Sequence, residues 1–279
     1  MRKLQDIQRF SACFTSWFCI PEQGMKEWEI LSRGTCFYLE RQKTVGVKVV
    51  KNKFFLTCSH IVAPWKWPNY YSDDWLKYVN ESHVKYTLDF HKRGVGTARV
   101  VFDQGPRLHP SRDLAALTIA GADELQATLG AVCKTQGRPP LEPTRLRRGR
   151  GPGPPALEDL KLSVLGYEVV EPDLFQELSE SCEGTEGEVC DDKRIQVPFT
   201  TAATFKQRLG PQTFLNPSIA VNDGVCGGPV LTEANECIGM VEGAVPSSGP
   251  PGLAGAVAVV EAQELEAFVD GLPGFDDQL

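Results

Sequence analysis

Short runs of β-branched, aromatic and aliphatic residues, each cut off by turn formers, recur along the chain: Gly34 to Glu40, Val45 to Lys51, Phe54 to Thr57, Thr97 to Phe102, Leu114 to Ile119, Leu162 to Val170 and Ile195 to Thr201. Runs of this length and spacing predict antiparallel strands of a sandwich or barrel, an all-β fold. The exception lies near the end, where Leu265, Phe268 and Val269 fall at helical spacing within Glu261 to Asp270 and predict a short amphipathic helix. There is no internal repeat, and no apolar run approaches the length that spans a bilayer.

Two polar stretches interrupt this pattern. Gln136 to Pro155 (QGRPPLEPTRLRRGRGPGPP) is too rich in Pro, Gly and Arg to pack a core, so it is expected to be a flexible connection. Its basic cluster, Arg145, Arg147, Arg148 and Arg150, suits a solvated loop or an acidic partner. The expected organisation is an N-terminal extension over 1–30, a first β-barrel over 31–135, a linker over 136–157, a second barrel with the closing helix over 158–271, and a tail over 272–279. The acidic stretch Glu171 to Asp192, with Cys182 and Cys190, is expected to loop out of the second half.

Composition narrows the function classes. A hydrophobic content of 42% in 279 residues fills a substantial core, and a formal net charge of -7 gives no electrostatic case for nucleic acid. A neutral or peptide-like partner is expected. The nine cysteines (13, 19, 36, 58, 133, 182, 190, 226 and 237) include no C-x-x-C pair, and no His is spaced for zinc. Neither a disulfide framework nor a metal or other cofactor is expected. The start MRKLQDIQRF lacks the apolar centre of a secretory signal. Arg2, Lys3 and Arg9 interleaved with Leu4, Ile7 and Phe10 sketch a weak mitochondrial address, which Asp6 opposes, and an ordinary exposed terminus fits equally. A reducing intracellular compartment, cytoplasm or mitochondrion, is the expectation.

Three segments carry chemistry. NDGVCGGPVL (Asn222 to Leu231) puts a thiol on a sharp glycine turn that can aim consecutive backbone N–H groups at one point. The amides of Gly224 and Cys226 would form an oxyanion hole, and Gly227 and Gly228 would admit a substrate backbone. Alone, Gly-Gly-Pro also serves any tight bend between strands. FFLTCSHIVA (Phe54 to Ala63) hands an apolar strand to a small-residue turn and His60, where a general base belongs; alone, it is a structural histidine at a strand end. SRDLAALTI (Ser111 to Ile119) sets Asp113 directly before an apolar strand, a place for a carboxylate that orients the base; alone, it is a turn aspartate.

Together, T-C-S-H-I-V, D-L-A-A-L and G-V-C-G-G-P-V resemble the His, Asp and nucleophile boxes of trypsin-like proteases, most closely the high-temperature-requirement (DegP-type) branch. The chain order, His60 then Asp113 then Cys226, agrees. GTCFYLE (Gly34 to Glu40), ECIGMVEG and GLAGAVAVVEAQELEAFV resemble the family's opening strand, its substrate-pairing strand and its closing strand and helix. The resemblance implies a chymotrypsin-like pair of antiparallel β-barrels and an endopeptidase with His60, Asp113 and Cys226 as its triad. It also implies substrate binding by Gly227, Gly228, Val241, Glu242 and Gly243. Relatives of the DegP type are often trimers, which leaves a homo-oligomer open, but no appended peptide-binding module is expected after the closing helix.

The departure from the family pattern is Cys226, where intracellular members carry serine. A thiol beside a histidine that can hold its proton is a strong nucleophile, and picornavirus-type proteases place cysteine on the same double barrel. The competing readings are an inactive descendant whose cleft binds peptide or protein, and a redox-sensing thiol. By resemblance Ala220 floors the primary specificity pocket, so a small or apolar residue is expected before the scissile bond. His83, His91 and His109 are expected to be structural or superficial. PWKWPNYYSDDWLKY (Pro64 to Tyr78) is dense in aromatics and is expected either to edge the cleft or to pack locally.

Overall fold

A computed structural model describes residues 4–45, 48–92, 96–118, 122–147, 156–170, 188–189 and 195–272. Helix α1 (Leu4–Phe10) buries Ile7 and Phe10. It leads into strands β1 (Ala12–Phe18), β2 (Glu29–Val45) and β3 (Lys48–Thr57), then the one-turn helix α2 (Ser59–Val62). Strands β4 (Val84–Lys92), β5 (Gly96–Val101), β6 (Arg107–Leu108) and β7 (Ala115–Thr118) complete a seven-stranded sheet in the order β5-β4-β1-β2-β3-β7-β6.

Helix α3 (Ala122–Thr135) and strand β8 (Arg145–Leu146) lead to the second unit. Its strands are β9 (Leu162–Val170), β10 (Glu188–Val189), β11 (Ile195–Leu209), β12 (Gln212–Pro217), β13 (Pro229–Thr232), β14 (Glu236–Ala244) and β15 (Val257–Glu261), followed by α4 (Ala262–Gly271). Pairing runs β11-β12-β15-β14-β13-β9 and returns from β9 to β11, so six antiparallel strands close a barrel. The all-β architecture of two antiparallel units with a closing helix is the expected one. The second unit closes, whereas the first is an open path of seven strands among the described residues.

Two cores hold this arrangement. Val164, Phe199, Leu215, Val230, Val241, Val257 and Val259 fill the barrel. Phe14, Phe37, Phe55, Leu56 and Leu88 of the first sheet share a second core with Leu231, Met240 and Val260 from the outside of the barrel and with Leu265 and Val269 of α4. The two units therefore bury apolar surface against each other, not only within themselves.

The structure differs from expectation in three places. Residues 12–18, assigned to an N-terminal extension, form β1, which pairs with both β2 and β4 inside the first sheet. The run Val45 to Lys51 straddles the connection between β2 and β3 instead of forming a strand of its own. The described part of the expected flexible connection is pinned: Glu142 N–H donates to Arg9 C=O (2.9 Å), Thr144 N–H to Tyr38 C=O (2.7 Å) and Arg147 N–H to Cys237 C=O (2.8 Å). Proline and glycine there remove helix and sheet alternatives but leave these isolated backbone groups free to bond. Arg148 and Arg150, and most of the acidic stretch with Cys182 and Cys190, lie outside the described residues. Among the described residues no helix is long and apolar enough to cross a membrane.

One residue of β2 joins the units. Thr35 N–H donates to Cys226 C=O (2.9 Å), its hydroxyl donates to Gly224 C=O (2.8 Å) and accepts from Tyr167 N–H (2.9 Å), and its carbonyl accepts from the Thr57 hydroxyl (2.8 Å). Thr35→Val keeps the shape but strands a buried donor and a buried acceptor. It is expected to lower unfolding free energy by about 2–5 kcal/mol, measured by urea denaturation; a change within error would show that the seam does not depend on this hydroxyl.

Candidate active site

The turn that carries His60 is built by its neighbours. A single turn of helix leaves its last carbonyls without internal partners. Here the Ser16 hydroxyl from β1 donates to Ile61 C=O (2.7 Å), and the Tyr86 hydroxyl from β4 donates to Val62 C=O (2.9 Å). His60 is consequently fixed at the rim of the first sheet and is buried.

Asp113 sits in the turn between β6 and β7. His109 shapes that turn: its N–H donates to Leu114 C=O (2.8 Å), and its Nδ1 accepts from the amides of Ser111 (3.2 Å) and Arg112 (3.0 Å). Burial lowers the pKa of His109, in keeping with a ring nitrogen that accepts. Its position four residues before Asp113 is the one trace of this role in the sequence. Within the turn, Asp113 Oδ1 accepts from the Ser59 hydroxyl (2.9 Å) and from His60 N–H (2.8 Å), while Oδ2 accepts from His60 Nδ1–H at 2.5 Å. A carboxylate held by three donors and 1% exposed cannot turn away from the imidazole.

The third segment is the loop between β12 and β13. Val225 is buried in the barrel core, which leaves its neighbour Cys226 at the seam. Gly224 and Gly227 have φ of 94° and 86°, values that a side chain strongly disfavours. A Cβ on Gly227 would come within 2.0 Å of Thr35 C=O, and one on Gly228 within 2.0 Å of Leu165 C=O. Gly227 therefore serves close backbone packing between the units, and Gly228 close packing against β9 within the barrel.

The same loop orients its amides. The peptide linking Asp223 and Gly224 has its carbonyl held by Val169 N–H (2.9 Å), and that linking Val225 and Cys226 by Gly228 N–H (2.9 Å). In a trans peptide the N–H points opposite to the carbonyl, so the Gly224 and Cys226 amides are turned away from those anchors.

His60 and Cys226 come together: the imidazole that bonds Asp113 on one side lies close enough to the Cys226 side chain for that group to raise its pKa. Burial lowers the pKa of His60, but the hydrogen bond to Asp113, the adjacent Cys226 side chain and the charges of both outweigh this and raise it to about 10. Both residues line a cleft of about 630 Å³ together with Tyr70, Tyr71, Val221, Asn222, Gly224 and Gly243.

The remaining expected site residues divide. Gly243 lines this cleft. Val241 is fully buried and exchanges backbone hydrogen bonds with the nucleophile loop, accepting from Gly227 (2.8 Å) and donating to Gly228 (2.8 Å), so these three are engaged with one another. Glu242 is half-buried, and burial raises its pKa against the pull of Arg112 and Gln212. Ala220 is exposed and outside the cleft lining, where Val221 stands instead. The aromatic loop 64–78 does both things expected of it. Leu76 and Val79 pack with Phe18 and Ile20, while Trp67, Tyr70 and Tyr71 surround the ring of His60.

Cys58, which the sequence did not single out, lies beneath the site. Its thiol donates to Val241 C=O (3.2 Å), and burial, followed by the negative charges of Asp113, Cys226 and Glu242, pushes its pKa well up. Cys58, His60 and Asp113 bring ligand atoms within 4.8 Å of one another. Each is already engaged by the hydrogen bonds above, so this donor set does not fit a resident metal.

The folded protein keeps the His60 proton to about pH 10, whereas an ordinary histidine releases it near 6.5. The stabilisation from this proton is complete below pH 6.5 and is lost as pH rises through 10. Asp113→Asn removes a principal cause of the shift, so the stability gap between wild type and variant is expected to narrow as pH rises across that interval. Urea melts at stepped pH test this, and parallel curves would contradict it.

No family model matches the chain, and no curated protein matches it. Among solved structures the chain is similar to the Rv3671c protease from M. tuberculosis in its active form, with a TM-score of 0.46 and 15% identity, over 94% of this chain and 82% of that one.

Proposed function

We propose that the chain is a trypsin-fold endopeptidase that hydrolyses peptide bonds with Cys226 as nucleophile, His60 as general acid and base and Asp113 as the orienting carboxylate. The observation that carries this reading is a single imidazole bonded on one edge to a buried carboxylate and set beside a thiol in the same open cleft. The carboxylate fixes Nδ1 as a donor, which leaves Nε2 to exchange a proton with sulfur.

In the reaction the Cys226 thiolate attacks the substrate carbonyl carbon, and the resulting oxyanion takes the N–H groups of Gly224 and Cys226. The proton on His60 Nε2 passes to the leaving amine as the C–N bond breaks, giving a thioester and the first product. Water then attacks the thioester, with His60 taking its proton, and the acyl product leaves as a carboxylic acid while Cys226 is restored. The DegP-type affinity rests on the three boxes and their order. Val221, Ala244 and Pro246 in the cleft lining favour a small or apolar residue before the scissile bond.

Purified protein incubated with a denatured proteome tests the reading. New termini are expected with the wild type and, after Cys226→Ala or His60→Ala, are expected to fall by roughly a thousandfold or more. They are expected to follow small or apolar residues; a strong preference for Lys or Arg would refute the pocket assignment. A wild type that yields no new termini would leave the chain a peptide-binding module with a protease scaffold.

A further inference from the structure

The aromatic loop meets the catalytic histidine in a way that the protease reading alone does not require. The ring of Tyr70 lies flat on the imidazole of His60, with centroids 4.6 Å apart and planes 11° from parallel. Trp67 stands nearly perpendicular to both rings, at 6.4 Å and 75° to His60 and at 5.6 Å and 86° to Tyr70. Tyr71 closes a third side at 6.3 Å and 44°, and its hydroxyl is hydrogen-bonded to the Ser32 hydroxyl at 3.0 Å.

The loop is fastened so that these rings keep their places. The amides of Tyr70 (3.0 Å) and Tyr71 (3.2 Å) both donate to Trp67 C=O, which ties the three aromatics into one turn. Trp75 further along stacks on Phe18 at 4.8 Å, and Lys66 pairs with Glu81 at 2.8 Å. Tyr70 spans from His60 towards β14, where its hydroxyl is 3.9 Å from the position of a Cβ on Gly243.

Aromatic faces attract cations, and several rings around one cation form an enclosure selective for its charged form. A serine nucleophile needs a neutral histidine at rest, ready to take the hydroxyl proton. A cysteine works best when the proton has already moved, as a thiolate facing an imidazolium. We infer that Tyr70, held in its turn by Trp67, is a positioning element that favours the imidazolium form of His60 and thereby favours the thiolate of Cys226 in the resting protein. This rests on the protease reading above and adds the feature that suits this scaffold to sulfur.

The groups around the ring are consistent with a single enclosed cation. Asp113 faces it from the turn between β6 and β7, Cys226 from the nucleophile loop and Cys58 from its own segment. Glu242 of β14 lies within electrostatic reach of both Asp113 and Tyr70, and Arg112 is turned to Glu242 and to Glu264, which it meets at 3.0 Å. Tyr70 is kept protonated by burial and then by the surrounding negative charges, and Tyr71 by burial, against the pull of its Ser32 hydrogen bond, so both rings stay neutral.

The test is the pH dependence of Cys226 alkylation by iodoacetamide, read by mass spectrometry at that residue in the full chain. Among the described cysteines Cys226 is the one that is not buried. In the wild type the reaction is expected to stay fast well below the ordinary thiol range. Tyr70→Leu, at a half-exposed position where the fold tolerates change, is expected to raise the midpoint by about 0.5 to 1.5 pH units, and Tyr70→Phe, which keeps the ring, is expected to retain the wild-type midpoint. An unchanged midpoint in Tyr70→Leu, or equal shifts in both variants, overturns the enclosure even if the wild type cleaves polypeptide. A wild-type midpoint that His60→Ala does not move overturns the ion pair itself, and with it the nucleophile assigned above.

Discussion

The meeting of the His60 turn with the loop that carries Cys226 depends on the clamp that Thr35 places on that loop. The loop belongs to the barrel, anchored there by Val225, whereas His60 and Asp113 belong to the first sheet. A nucleophile and a base carried by separate units meet only if the seam is fixed to a few tenths of an ångström. Thr35 does this with its whole polar complement: the amide takes Cys226, the hydroxyl takes Gly224 and Tyr167, and the carbonyl takes Thr57, immediately before the His60 turn. Gly227 lets the loop approach Thr35 and Thr57 of the first unit closely, while Gly224 and Gly228 let it pack on β9 of the barrel. Glycine in this loop thus serves both the join between units and the seating of the loop on its own barrel.

The candidates His60, Asp113 and Cys226 could be picked out because each sits at a boundary between apolar strand and turn, a pattern that survives in one dimension. What surrounds them could not. Strand β1 (ACFTSWF) shows no alternation because all its residues are buried. Its polar members, Thr15 and Ser16, are instead satisfied inside, by the Asp89 carboxylate (2.7 Å) and by Ile61 C=O. A central strand carrying buried hydroxyls looks like neither a strand nor a loop in the hydrophobic pattern. Likewise the Pro-rich connection has the composition of a free linker, yet its backbone bonds depend on partners far away in sequence, Arg9, Tyr38 and Cys237.

The expected pocket floor illustrates a different limit. Counting six residues back from the nucleophile reaches Ala220, but the loop geometry puts its neighbour Val221 in the cleft. A shift of one position along an extended segment exchanges the face that points inward for the one that points out. Offsets borrowed from a family are reliable only where the intervening backbone has the same number of residues and the same turns. The histidine at 109 shows the converse, a residue without any motif whose ring nitrogen holds the Asp113 turn through two amides.

Replacing oxygen by sulfur at the tip of this loop alters the charge the site must hold at rest. A serine site is charged at rest only on its carboxylate, but the proposed thiolate would add a second anion close to Asp113, with Glu242 and a buried thiol nearby. His60 stands against them, with Arg112 acting on Glu242, and removing water from around an ion pair costs free energy that direct attraction has to offset. Two carboxylates and a thiolate with no ordered counter-charge would drive protons back onto sulfur. Aromatic rings offer a solution that hydrogen-bond donors do not, because they favour the cation without competing for its N–H groups, one of which is already committed to Asp113. On the proposed cysteine mechanism, the loop that follows the histidine box would be the complement of the sulfur.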